Sequence, residues 1–191
     1  MSPKVPKQKV PPKVFKKVPA FLKKKGASEA RFIKACDIVV DERVRLKCQV
    51  PLCDSFGRNL LCPPHLPAVA QFREALARYE DAVIVQVRAS LEETKGDPFL
   101  PARRLHEIIN MGEKFAFESG SRFALGLIGG CCRLCDSCVA VDSGRACRHP
   151  FKARPSMEAM GIDVQATAEK AGLPFEFPVR DRVIWTGLIL L

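Results

Sequence analysis

Residues 122–138 read RFALGLIGGCCRLCDSC. After Arg122 the stretch is apolar, interrupted only by glycine, and it predicts a strand over 122–130. The next eight positions hold four cysteines, Cys131, Cys132, Cys135 and Cys138. The strand therefore hands the chain straight into a cysteine loop. A strand of this kind needs partners, and the rest of the chain supplies them.

Downstream, a short helix is expected from about Ser156. Another begins after Asp163, a good N-cap, and stops at Gly172. The closing DRVIWTGLILL reads as a strand. Upstream, Leu105, Ile108, Ile109, Gly112, Phe115 and Ala116 line one face of a helix that Gly120 can end. DAVIVQVRA, residues 81–89, is a buried β-branched strand. Pro67 opens a helix on which Val69, Phe72, Leu76 and Tyr79 recur at helical spacing. CDIVVDERVRLKC, residues 36–48, reads as two short strands around Asp41 and Glu42. Helices alternating with strands predict a layered α/β domain, with α+β as the alternative. A single domain with four or five strands and flanking helices is expected.

The chain has 191 residues, a formal net charge of +10 and nine cysteines. The charge is not spread evenly. Residues 1–25 hold nine lysines, five prolines and no acid, and what remains carries 22 basic against 21 acidic residues. This predicts a disordered basic tail over 1–28 and a nearly neutral folded domain over 29–191. Nucleic acid, or another anionic surface, is a partner only through that tail. No apolar run reaches the roughly 18 residues that span a membrane, and VPAFL is too short for a secretory core. A cytoplasmic protein is expected.

The cysteines decide the chemistry. An odd count with such short spacings suits thiolates on metal better than disulfides, whose Cα atoms prefer about 5.5 Å. Cys132, Cys135 and Cys138 repeat at Cys-x2-Cys-x2-Cys, the spacing with which ferredoxin loops supply three thiolates to one 4Fe–4S cluster. Two intervening residues let the backbone curl so that three thiolates converge. Gly129 and Gly130 permit a close approach. Cys147 follows as a fourth ligand. Zinc, which favours paired knuckles on separate arms, is the alternative.

Cys48, Cys53 and Cys62 form a second group, ending in Cys62-Pro63-Pro64. One or two clusters are expected. Cys62 and Cys147 either stay with their own groups or exchange between them. Cys131 reads as a small buried hydrophobe at the strand end, with service to the other site as its alternative. Cys36 reads as a core thiol. His65 and His149 are further ligand candidates, and His106 is a helix residue. Arg133, Arg145, Arg148, Lys152 and Arg154 surround the second group, where cations raise a cluster's potential or dock an acidic redox protein. Glu107, Glu113 and Glu118 read as surface acids. No P-loop, GxGxxG, HExxH or GxSxG occurs, so no enzymatic template is present. The function expected is iron–sulfur binding with an electron-transfer role. The alternatives are a structural zinc module for protein or nucleic-acid interaction, and a carrier that hands its metal or cluster on.

RLKCQVPLCDSFGRNLLCPP, GGCCRLCDSC, CRHPFKARPSMEAMGIDV and WTGLILL together resemble the cysteine-rich family described as predicted metal-binding proteins, domain of unknown function 2284. The resemblance covers about residues 30–191. It implies a cytoplasmic protein whose metal is held at Cys48, Cys53, Cys62, Cys132, Cys135, Cys138 and Cys147. It implies no known reaction. Cys36, Cys131 and the lysine tail look like additions of this chain.

Overall fold

The structure is a computed structural model that describes residues 16–141 and 144–191. Among the described residues, five α-helices and four strands follow in the order α1 (Lys17–Lys24), β1 (Glu29–Lys34), α2 (Glu42–Leu46), α3 (Val69–Leu76), β2 (Asp81–Ser90), α4 (Leu100–Glu118), β3 (Leu125–Leu127), α5 (Val164–Lys170) and β4 (Arg182–Leu190). Three short 3-10 turns lie at Ala35–Asp37, Val139–Val141 and Glu158–Met160. The sheet has the order β1-β2-β4-β3, and every pairing is antiparallel. The result is one mixed α/β domain with a four-stranded sheet, as the sequence predicts.

Strand alternation builds the layers. Val83, Val85 and Val87 of β2, with Ile189 of β4, face a core closed by α1 and by Leu105, Ile108 and Ile109 of α4. Ala82 and Ile84, with Leu188 and Leu190, face the other core, closed by Phe72 and Leu76 of α3 and by Met157, Met160 and Ile162. Both faces of the central strands are covered, which is why their sequences read as apolar runs. Asp163 accepts the Ala166 N–H at 2.9 Å and starts α5 as expected. Among the described residues, no helix is long and apolar enough to cross a membrane.

Three local expectations are corrected. Disorder was expected over 1–28, but α1 is a helix docked on the domain. Val18 and Leu22 are fully buried, and Phe21 stacks on Phe115 at 4.3 Å. Val18, Phe21 and Leu22 share one helical face while Lys17, Lys24 and Lys25 stay exposed. Pro19 falls in the first turn, where its missing N–H is harmless. Gly112 makes the docking possible, since a Cβ there would lie 2.5 Å from both Leu22 and Ile189. Residues 1–15, which hold the rest of the basic tail, lie outside the described residues.

The second correction concerns 36–48. The two strands expected there do not form: β1 already ends at Lys34, and Asp41 begins α2 instead of a turn, because its carboxylate accepts the Arg43 N–H at 2.8 Å. Cys36 sits in the 3-10 turn after β1 and is exposed, not part of the core. Thirdly, the strand expected over 122–130 is confined to Leu125–Leu127. Beyond it, Ile128 leaves β4 to bridge Ser156 in parallel.

Candidate metal centre

The segment 155–163 organises both cysteine loops. Ile128 donates to the Pro155 carbonyl and accepts from Met157, at 3.0 and 2.8 Å, just before the second loop. Asp41 N–H donates to Gly161 O, and Asp163 N–H to Val39 O, both at 2.8 Å, just before the first loop. One connection thus fixes where each loop starts.

The first loop leaves α2 and closes a turn through Cys53 N–H to Cys48 O at 3.0 Å. A second turn ends at Cys62, whose N–H donates to Asn59 O at 3.0 Å. Asn59 is buried and does two more things. Its Oδ1 accepts Leu61 N–H, and its Nδ2 donates to the Cys132 carbonyl, both at 2.9 Å. The two loops are therefore latched together.

The second loop begins with Gly129 and Gly130 passing under Trp185. A Cβ on Gly129 would stand 2.8 Å from the Thr186 carbonyl oxygen, and one on Gly130, at φ +71°, 2.9 Å from the Trp185 ring. The glycine pair is thus required by contact with β4. Cys132, Cys135, Cys138 and Cys147 then line one small cavity with Asn59 and His149. Backbone N–H groups point at three of these sulfurs. Leu60 reaches Cys138 Sγ at 3.5 Å, His149 reaches Cys147 Sγ at 3.3 Å, and Leu134 faces Cys132.

Electrostatics divides the thiols in the same way. Burial pushes the Cys132 thiol up, and the neighbouring Cys147, Cys135 and Cys138 add to it. Cys62 is 6% exposed. Burial, and then the Cys131, Cys53, Cys48 and Cys132 sulfurs, push its thiol up to about 12. Burial and Cys53 raise Cys48. Crowded, buried thiols resist ionising on their own, and a bound cation reverses that balance.

The remaining candidates fall out differently. His65 is exposed, with its ring near Gly57 O at 3.4 Å. His149 contributes its backbone N–H to the second group. Cys131 is half-buried and lines a small cavity with His106 and Arg133, while Cys36 is exposed. Arg133 lies 3.6 Å over the Phe99 ring, and Arg148 donates to Ser137 O at 3.0 Å. Arg154 is not a free cation, and Glu113 is not a surface acid. They form a bidentate pair with both contacts at 2.6 Å and side chains about one-sixth exposed. His106 and Asn110, on the same face of α4, hold the Lys152 carbonyl at 2.8 and 3.0 Å. Burial lowers the His106 pKa, so the ring stays neutral in this role. Sequence reading missed this clamp on the segment after Cys147. Its signal was the polar stripe His106, Asn110 and Glu113 beside an apolar face.

A cleft of about 690 Å³ opens beside the first group, lined by Cys48, Cys53, Glu158, Phe175 and Trp185 among others. The Glu158 oxygens each accept Gly130 N–H at 3.3 Å.

Among the described residues, no three His, Cys, Asp or Glu side chains are set to grip a single metal ion. What the fold does assemble is an all-sulfur donor set in two adjoining groups, with amides aimed at sulfur. That donor chemistry fits a thiolate-bound metal centre. Residues 31–191 match the family described as "Predicted metal-binding protein (DUF2284)". No curated protein matches the chain, and no solved structure matches it.

Proposed function

The chain belongs to the DUF2284 family of predicted metal-binding proteins, and from that premise we propose that it binds iron–sulfur clusters of the 4Fe–4S kind and serves electron transfer. One observation carries the reading. Four thiols in ferredoxin-like spacing share one cavity, with backbone amides directed at three of the four sulfurs. Cys132, Cys135, Cys138 and Cys147 would hold one cluster, and Cys48, Cys53 and Cys62 would supply thiolates for the other.

A bound cluster supplies a centre that takes up or gives one electron. The residues around it set how readily that happens. The Leu60, Leu134 and His149 amides stabilise anionic sulfur, and Arg133, Arg148 and Lys152 add positive charge nearby, both of which favour the reduced state. Asn59 keeps the two loops at a fixed separation. The same cations offer a docking face for an acidic redox protein. Reduced thiols in this number suit the cytoplasm.

Protein purified without oxygen is expected to be brown and to carry about eight iron and matching acid-labile sulfide, or about four if only one group is loaded. A colourless protein with zinc and no sulfide would replace this reading with the structural zinc one. Cys135→Ser is expected to remove about half of the iron of a two-cluster protein and spare the remainder. Unchanged iron in that variant would remove Cys135 from the ligand set.

A further inference from the structure

The cleft of about 690 Å³ beside the first cysteine group has the size of a small-molecule site. Such sites are mostly apolar, with a few polar groups that fix the ligand. We propose that this cleft binds an organic cation, an amine with an apolar body, whose body lies against Phe175 and Phe177 and whose charge meets Glu158. The proposal goes beyond the metal reading and does not depend on it.

The apolar part of the lining comes from Phe175, Phe177, Val179 and Ile184 among others. Phe177 is 80% exposed, although it belongs to the wall of a concavity. A ring held in water at the edge of a cleft gains when a ligand covers it. Beneath this wall the sheet changes character. Ile84 and Leu188 face the second core, and two positions along each strand the same face carries Gln86 and Thr186. Both are buried, and Thr186, which lines the cleft, is only 3% exposed. Gln86 Nε2 donates to Pro174 O at 2.8 Å and, at a longer 3.4 Å, to Thr186 Oγ1. The Thr186 oxygen keeps a second lone pair for a donor in the cleft.

The charged part of the lining is acidic. Glu158, Asp163 and Glu176 stand against one base, the exposed Lys47. Asp163 is already engaged as the cap of α5. Glu158 is not engaged by any charge. Its oxygens share the Gly130 N–H at 3.3 Å, the Ser156 hydroxyl is its other neutral donor, and among the described residues no lysine, arginine or histidine pairs with it. A carboxylate drawn out of water with only neutral donors is short of positive charge. An ammonium in the cleft supplies that charge, and the faces of Phe175 and Phe177 attract the same cation. An anion would meet carboxylates with one lysine to offset them.

Cys48 and Cys53 line the same cleft, whereas the second cysteine group lines a separate cavity. A bound amine therefore stands beside the first group and leaves the second free.

Three probes of similar shape and different charge test this: phenylbutylamine, phenylbutanol and phenylbutyrate, each titrated into the full chain purified without oxygen. Trp185, the only tryptophan of the chain, lines the cleft, so its fluorescence reports occupancy while calorimetry gives the affinity. The amine is expected to bind at least about tenfold more tightly than the carboxylate, and Glu158→Gln to remove about tenfold of the amine's affinity without changing that of the alcohol. Phe177→Ala, at an exposed position, is expected to weaken all three probes. If Glu158→Gln fails to fold, the order of the probes on the wild type and the effect of Phe177→Ala decide. A carboxylate bound as tightly as the amine, amine binding indifferent to both substitutions, or no saturable binding of any probe overturns the proposal. Iron and sulfide are measured separately on the same protein, so either reading can fail while the other stands.

Discussion

Leu22→Ala is expected to lower the stability of the protein by about 2–5 kcal/mol, measured by chemical denaturation at fixed metal content. Leu22 is fully buried, and it occupies the space that the missing side chain of Gly112 leaves between α1 and α4. Truncating it opens a cavity walled by helix backbone and by Ile189 of the central strand β4, neither of which can collapse inward. The charged face of the same helix provides the control. Lys24→Ala, at an exposed position, is expected to change stability by no more than about 0.5 kcal/mol. Equal, small effects at both positions would mean that residues 16–28 behave as the disordered tail that their composition suggests. A large difference means that the folded body starts ahead of the segment matched to the family, whose match begins at residue 31.

That contrast also shows what the sequence makes legible. Strands β2 and β4 rest on continuous apolar runs, α5 on its Asp163 cap and Gly172 stop, and helices α3 and α4 on apolar periodicity, and each lies where those signals place it. Helix α1 has the same signal in Val18, Phe21 and Leu22. It is short, however, and nine lysines and five prolines in residues 1–25 outweigh it in any compositional reading. The first cysteine loop is harder, because it holds no periodic stretch. Its only local signal is Asp41, which caps α2 instead of turning a hairpin.

The site divides along the same line. Thiols in short spacing announce themselves by residue type, so the two groups could be read directly. How they sit against each other could not. The latch between the two loops depends on Asn59 meeting a carbonyl 73 positions away, and no local pattern encodes a contact of that range. The segment RPSMEAMGIDV is a similar case. Arg154 and Glu158 stand four apart, which suggests one helical face, but they serve different partners: Glu113 for the first and Gly130 for the second.

Glu113→Ala is expected to cost about 3 kcal/mol and to loosen the second cysteine group. Glu113 accepts three contacts, two from the Arg154 guanidinium and one, at Oε2, from Gly126 N–H, each at 2.6 Å. It therefore joins α4 to β3 at one end and to the segment after Cys147 at the other. Removing it leaves a largely enclosed guanidinium without a counter-charge and a backbone donor without an acceptor, and such orphaned groups cost more than the bonds themselves were worth. The residual exposure of the pair keeps the figure at the low end for buried ion pairs. The double variant Glu113→Ala with Arg154→Met separates the two costs. With no charge left unpaired, it is expected to recover part of the lost stability, though not the share due to Gly126. Metal retention provides the second readout. His106 and Asn110 still hold Lys152 in these variants, so the second group should form but release its metal to a chelator faster than in the wild type. Leu22→Ala, acting on the far side of α4, should leave that rate unchanged. Equal release rates in all of them would make the Glu113–Arg154 pair a contributor to folding alone, with no part in holding the loop that ends at Cys147.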